Sequence, residues 1–151
     1  MSDSYIFLIP SDPRFVPEEH KSELARAAFE VLAPDAETVE VQTTAKVKFY
    51  DAGEYFAEVE CPDCHAILPF EWWQERMGED FDGEGFELAD YSLPCCAAKR
   101  CLNDLVYHEA QGFARFAISA MNPVIPKISD SDVARLEVLL GTKLRVIYCH
   151  V

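Results

Sequence analysis

Two tight cysteine clusters constrain this chain more than any other feature. Cys61-Pro62-Asp63-Cys64 is answered about thirty residues later by Pro94-Cys95-Cys96. Two thiols separated by two residues can turn their sulfurs toward one point, because the turn between them brings both Cβ atoms to one side. A tetrahedral zinc ion needs four such ligands, and a second knuckle supplies the other pair. A lone CxxC also fits a thioredoxin-like redox turn, but a redox pair has no use for two further thiols. The spacing therefore predicts a structural zinc site on Cys61, Cys64, Cys95 and Cys96. Adjacent cysteines share one metal only on a bent backbone, so Cys101, His65 and His108 stand as alternatives for one ligand position.

The charge decides which partners such a site serves. The chain carries 13 Lys and Arg against 27 Asp and Glu, a formal charge of −14. Four thiolates on one zinc make it more acidic still. Such a surface repels phosphate backbones, which argues against nucleic acid, the usual partner of zinc knuckles. A basic protein partner fits instead, since opposite charge speeds association. The carboxylates gather near the cysteines, and Glu71, Glu75, Glu79, Asp80, Asp82 and Glu84, with Trp72 and Trp73, form the expected partner surface. Neighbouring tryptophans on a helix point about 100° apart, so only one of the two lies at the centre of a buried face. The glycine-bearing loop Glu79–Gly85 is no EF-hand, because Tyr91 stands where the bidentate glutamate is required.

In chain order, Tyr5–Ile9 reads as a buried strand ended by Pro10, and Pro17-Glu18-Glu19 as a helix start. Thr38–Gln42 and Lys46–Tyr50 alternate as half-buried strands, either one bent strand or two. Tyr55–Glu60 reads as a strand into the first cysteine pair, Phe70–Met77 as a short helix, and Phe86–Leu93 as a strand into the second, with Lys99–Leu102 returning. Phe113–Met121 is a long strand with Phe116, Ile118 and Ala120 on one face. Ser129 is an N-cap, or Ser131 if the helix starts later, Val133, Leu136, Leu139 and Leu140 are an apolar helical face, Gly141 is the left-handed C-cap, and Leu144–Val151 is a final strand.

Strand–helix–strand thus occurs at both ends. The expected fold is α+β, one domain over residues 1–151: an antiparallel sheet with two helices, in its specific version a ferredoxin-like split βαβ arrangement. A zinc-ribbon-like insert occupies about residues 53–110. No apolar run approaches the roughly 20 residues of a membrane span, and Met1-Ser2-Asp3-Ser4 lacks the basic start of a signal peptide. The expectation is a cytoplasmic protein, in which six cysteines serve as metal ligands or free thiols and not as disulfides.

The segments Phe7–Pro10, Phe15-Val16-Pro17, Cys61-Pro62-Asp63-Cys64, Glu71-Trp72-Trp73, Pro94-Cys95-Cys96, Leu102-Asn103-Asp104-Leu105 and Gly112–Phe116 together resemble a family of small uncharacterised bacterial proteins. Some of its members carry the label sugar ABC transporter ATPase. The resemblance implies bacterial origin and the cysteine pattern, and no activity; Cys101 and Cys149 lie outside the shared motif. The label fails on chemistry, since a P-loop requires GxxxxGK[ST] between strand and helix, and Gly141-Thr142-Lys143 follows a helix.

Catalysis has few candidates. His20 reads as a surface residue, and Cys149-His150, neighbours on a strand, point to opposite faces. Four thiolates leave zinc no open position for water. The expected function is a non-enzymatic, zinc-stabilised protein with an acidic protein-binding surface, of toxin-neutralising (immunity) or adaptor type. The alternative is a thiol- or zinc-dependent enzyme.

Overall fold

A computed structural model describes residues 2–151. The chain runs Ser4–Pro10 (β1), Glu19–Leu32 (α1), Thr38–Tyr50 (β2), Val59–Glu60 (β3), Phe70–Asp80 (α2), Tyr91–Ser92 (β4), Lys99–Arg100 (β5), Val106–Tyr107 (β6), Gly112–Met121 (β7), Asp130–Leu140 (α3) and Leu144–His150 (β8). A 3-10 turn, Leu102–Asp104, precedes β6. The fold is α+β with three helices, one more than the two expected to serve the sheet. The third, α2, lies between the cysteine clusters and runs three residues past the expected Met77.

β1, β2, β7 and β8 form one four-stranded antiparallel sheet in the order β2-β7-β1-β8. β7 sits between β2 and β1 and is apolar and buried almost throughout. Its Phe116, Ile118 and Ala120 join Ile6 and Leu8 of β1 under Ala25 and Phe29 of α1 and Leu136 and Leu140 of α3. Ala114 and Ala117 face the other way, toward Ile9, Tyr50 and Ile147. β2 is one strand, its pairing with β7 shifted between Thr43 and Lys48.

The caps of α3 follow the sequence. Ser129 accepts the Asp132 N–H at 3.2 Å, and Gly141 closes the helix at φ +76°. At α1 the backbone is still extended at Glu18, so the helix begins two residues after Pro17.

The segment between β2 and β7 departs furthest from expectation. The strands expected at Tyr55–Glu60 and Phe86–Leu93 shrink to the pairs Val59–Glu60 and Tyr91–Ser92. The reason is where the backbone donors go. Tyr55 and Phe56 N–H close turns on Ala52 and Gly53 carbonyls, and Leu88 and Ala89 N–H bond the Asp80 carboxylate at 2.7 and 2.9 Å. What remains is two short ribbons, β3 with β6 and β4 with β5. They pack around Val59, Cys61, Leu68, Trp73, Leu93, Leu102 and Leu105, which meet Val47 and Phe113 of the sheet.

Asn103 fastens this segment to the sheet. Its Oδ1 accepts the Phe113 N–H at 3.2 Å and Arg145 Nη1 at 3.1 Å, while Arg145 Nη1 also reaches the Gln111 carbonyl at 2.6 Å.

Candidate metal centre

One cysteine cluster turns the chain back at the end of β3 and the other joins β4 to β5, and both are built on the same six-residue turn. In the first, Cys61–Ala66, the Cys61 N–H bonds the Ala66 carbonyl at 2.8 Å and the His65 N–H returns to the Cys61 carbonyl at 3.1 Å. In the second, Leu93–Ala98, the Leu93 N–H bonds the Ala98 carbonyl at 2.9 Å and the Ala97 N–H returns to the Leu93 carbonyl at 2.9 Å. Both turns carry proline second and cysteine fourth. Both need a left-handed fifth residue, His65 at φ +65° and Ala97 at φ +60°, a conformation that costs a residue with a Cβ about 1–2 kcal/mol. The pairs Glu60 with Ile67 and Ser92 with Lys99 flank them identically.

This equivalence explains the adjacent cysteines. Cys64 and Cys96 hold the fourth position of each turn. Cys61 is first in its turn, where the second has buried Leu93; Cys95 is third in its turn, where the first has Asp63. The second turn therefore presents its other sulfur from two residues further along, and the bend that adjacent ligands require is the turn itself.

The four sulfurs lie within 4.8 Å of one another. Cys61 Sγ is 3.7 Å from Cys96 Sγ, which is 3.8 Å from Cys95 Sγ. Disulfide sulfurs stand about 2.05 Å apart, and all six cysteines are free. A tetrahedral ion with metal–sulfur bonds of about 2.3 Å spaces its ligands about 3.8 Å apart, which matches these two contacts.

The surroundings favour negative sulfur at one corner. Burial pushes the Cys61 thiol up, but the N–H groups of Cys64 and Asp63, at 3.4 and 3.3 Å from its Sγ, together with the Cys95 and Cys64 thiols outweigh it and bring the group down to about 6. Burial and its neighbouring thiols push Cys95 up to about 12. Without a cation the cluster holds one thiolate readily and resists the next; a divalent ion removes that resistance. Arg100 Nη2 donates to Asp63 Oδ1 at 2.6 Å and ties one turn to the strand leaving the other.

The alternative ligands go elsewhere. His65 Nδ1 and His108 Nε2 sit 3.1 and 3.0 Å from the two oxygens of Glu60, and Cys101 shares the Leu102–Asp104 turn with Asp104. His20 is exposed, and Cys149 is buried beside Asp51.

The expected partner surface divides. Glu71, Glu75, Glu79 and Glu84 are exposed, and Glu75 and Glu79 both pair with Arg76, whose guanidinium lies 5.7 Å over the half-buried Trp72 ring. Trp73 is in the core, its Nε1 donating to Tyr107 Oη at 3.1 Å. Asp80 corrects the expectation. It is 1% exposed and accepts the Leu88 and Ala89 N–H groups and the Tyr91 hydroxyl, so it holds the second ribbon in place and presents nothing to a partner. Asp82 is likewise engaged, by the Glu84 and Gly85 N–H groups and by Lys46 Nζ at 3.1 Å.

Sequence reasoning missed Glu60, Arg100 and Asn103, which orient the site and its support and carry no spacing signal. It also missed the repeated turn, although proline second, cysteine fourth and alanine sixth in both Cys61–Ala66 and Leu93–Ala98 was there to find. Among the described residues no helix is long and apolar enough to cross a membrane. Compared with protein-family models, curated proteins and solved structures, the chain has no match.

Proposed function

We propose that Cys61, Cys64, Cys95 and Cys96 bind one structural zinc ion, and that the zinc holds a protein-binding module in shape. The observation that carries this is the sulfur spacing of 3.7 and 3.8 Å in a cluster without a disulfide. Four sulfur ligands leave the ion no position for substrate or water, so its contribution is to folding and not to a reaction. In this reading about residues 53–110 are a zinc-ribbon-like insert in a ferredoxin-like sheet, a topology supported by the order β2-β7-β1-β8. The protein works in the cytoplasm, where thiols stay reduced, and belongs with the small bacterial proteins that its motifs resemble.

The module acts as an immunity-type or adaptor protein toward a basic protein partner, in keeping with a formal charge of −14. Metal analysis of the purified protein tests the foundation: the expected result is about one zinc per chain, released on acidification as protons compete for the thiolates. Metal-free protein with a disulfide among these four cysteines removes the reading. Capture of a basic partner whose binding weakens with salt tests the rest.

A further inference from the structure

The sheet has one face under α1 and α3 and a second face that no helix covers among the described residues, since α2 belongs to the core of the intervening segment. On that second face the rings of Tyr5 and Phe7 stack with centroids 5.5 Å apart, and Tyr50 follows at 5.2 Å. Where β1 begins and β8 ends, the loop after β7 and the turn at Tyr55 enclose a cleft of about 420 Å³, lined in part by Tyr5, Tyr55, Ile125, Tyr148, Glu109 and Lys127. That volume falls in the range of ligand-sized clefts.

The charges around the cleft are mostly of one sign. Asp3 and Glu37 both accept from Asn122 Nδ2, next to Pro123 in the cleft wall. Asp51 touches Cys149, and Glu54 lies 3.6 Å from His150 Nε2. Glu109 and Lys127 are the charged residues of the wall itself, and the other four carboxylates lie on residues next to it or touching it. Tyrosine faces attract cations through their quadrupole, more strongly when water is displaced. A second copy of this chain, equally acidic, is repelled.

We infer that this cleft receives a cationic side chain, arginine or lysine, from a basic partner protein. The inference rests on the basic-partner reading above and moves the contact from the loop after α2 to the end of the sheet.

The test uses the full-length, metal-loaded chain and a hexa-arginine peptide as probe, with binding followed by NMR. Tyr55→Leu and Glu109→Gln alter the cleft, while Phe81→Leu removes an exposed aromatic ring and Glu19→Gln an exposed carboxylate outside it. Each cleft variant should weaken binding about fivefold, and each reference variant less than twofold. Equal losses in both pairs overturn the cleft and leave a diffuse acidic surface standing. Tighter binding of hexa-glutamate than of hexa-arginine overturns it too, with Lys127 as the reader of an anion. Salt-insensitive or absent hexa-arginine binding by the unmodified chain removes the basic-partner reading itself, and the cleft proposal with it.

Discussion

The body of the molecule and the segment between β2 and β7 solve the same problem by different means. The body has strands of 7, 13, 10 and 7 residues whose backbone groups satisfy one another, and a core in which Phe29, Phe116, Ile118, Leu136 and Leu140 are 1% exposed or less. The segment has four strands of two residues each, and its covering consists largely of side chains bound to backbone. An isolated two-residue pairing has no independent stability. The body is held by apolar area. The segment adds to its apolar core around Trp73 the buried carboxylate of Asp80, the Glu60 contacts and, in the reading proposed above, a metal on four sulfurs.

The largest effect that divides the two regions should come from Cys61→Ser. Structural zinc contributes on the order of 10 kcal/mol to the folding of small metal domains. Loss of the metal should therefore abolish amide-exchange protection in β3 to β6 and keep it in β1, β7 and β8. Uniform loss of protection across both regions would show that they are a single cooperative unit.

The reverse experiment is Phe29→Ala, in the core of the body. A fully buried phenylalanine removed to alanine costs about 3–5 kcal/mol, measured as a drop in the urea midpoint. The metal should stay bound up to the main transition. Release of zinc well before that transition would mean that the segment depends on the body more than the body depends on it.

A third change sharpens the comparison within the segment. Leu93→Cys combined with Cys95→Asp rewrites the second turn in the ligand pattern of the first. One metal per chain should still bind, at a stability cost of about 1–2 kcal/mol for the smaller core side chain. A double variant that binds none would break the equivalence of the two turns.

The smallest effect concerns pH. The Glu84 N–H, then the Gly85 N–H and Lys46, hold the Asp82 carboxyl well below its usual range. Its folded value is lower than its unfolded value of about 4, so its contribution is present above pH 4 and fades as pH falls below it. Asp82→Asn should flatten the acid limb of stability below pH 4 and change little at pH 7. An unchanged acid limb would show that Asp82 contributes nothing there.

The same division governs what could be read in the sequence. Regular strands and helices of the body announce themselves by period, as in Phe116, Ile118 and Ala120, and by caps such as Ser129 and Gly141, because local chemistry decides them. In the segment the deciding partners are far apart in the chain. Nothing near Asp80 says that its carboxylate will take two N–H groups eight and nine residues later, so it read as one more surface acid. The pairing of Cys95 with Cys96 read as an irregularity, because the equivalence of Leu93 with Cys61 becomes visible only when the turns are laid over each other. The four sulfur positions were legible, since spacing in cysteines is itself chemistry.

Tyr50 and Gly112 face each other across β2 and β7, so the about sixty residues between them leave and re-enter the sheet at one point. Closing a flexible loop of that length instead of a two-residue turn costs roughly 3 kcal/mol of chain entropy. That cost falls on the step in which β2 finds β7, the strand on which the whole sheet is assembled. If the two cysteine turns close on their metal first, most of the loop is already gathered and the encounter becomes nearly local. A metal there would act as a clock as well as a clasp: refolding with zinc present should be faster than without it, and the order of events should run from the cysteine turns inward to the sheet.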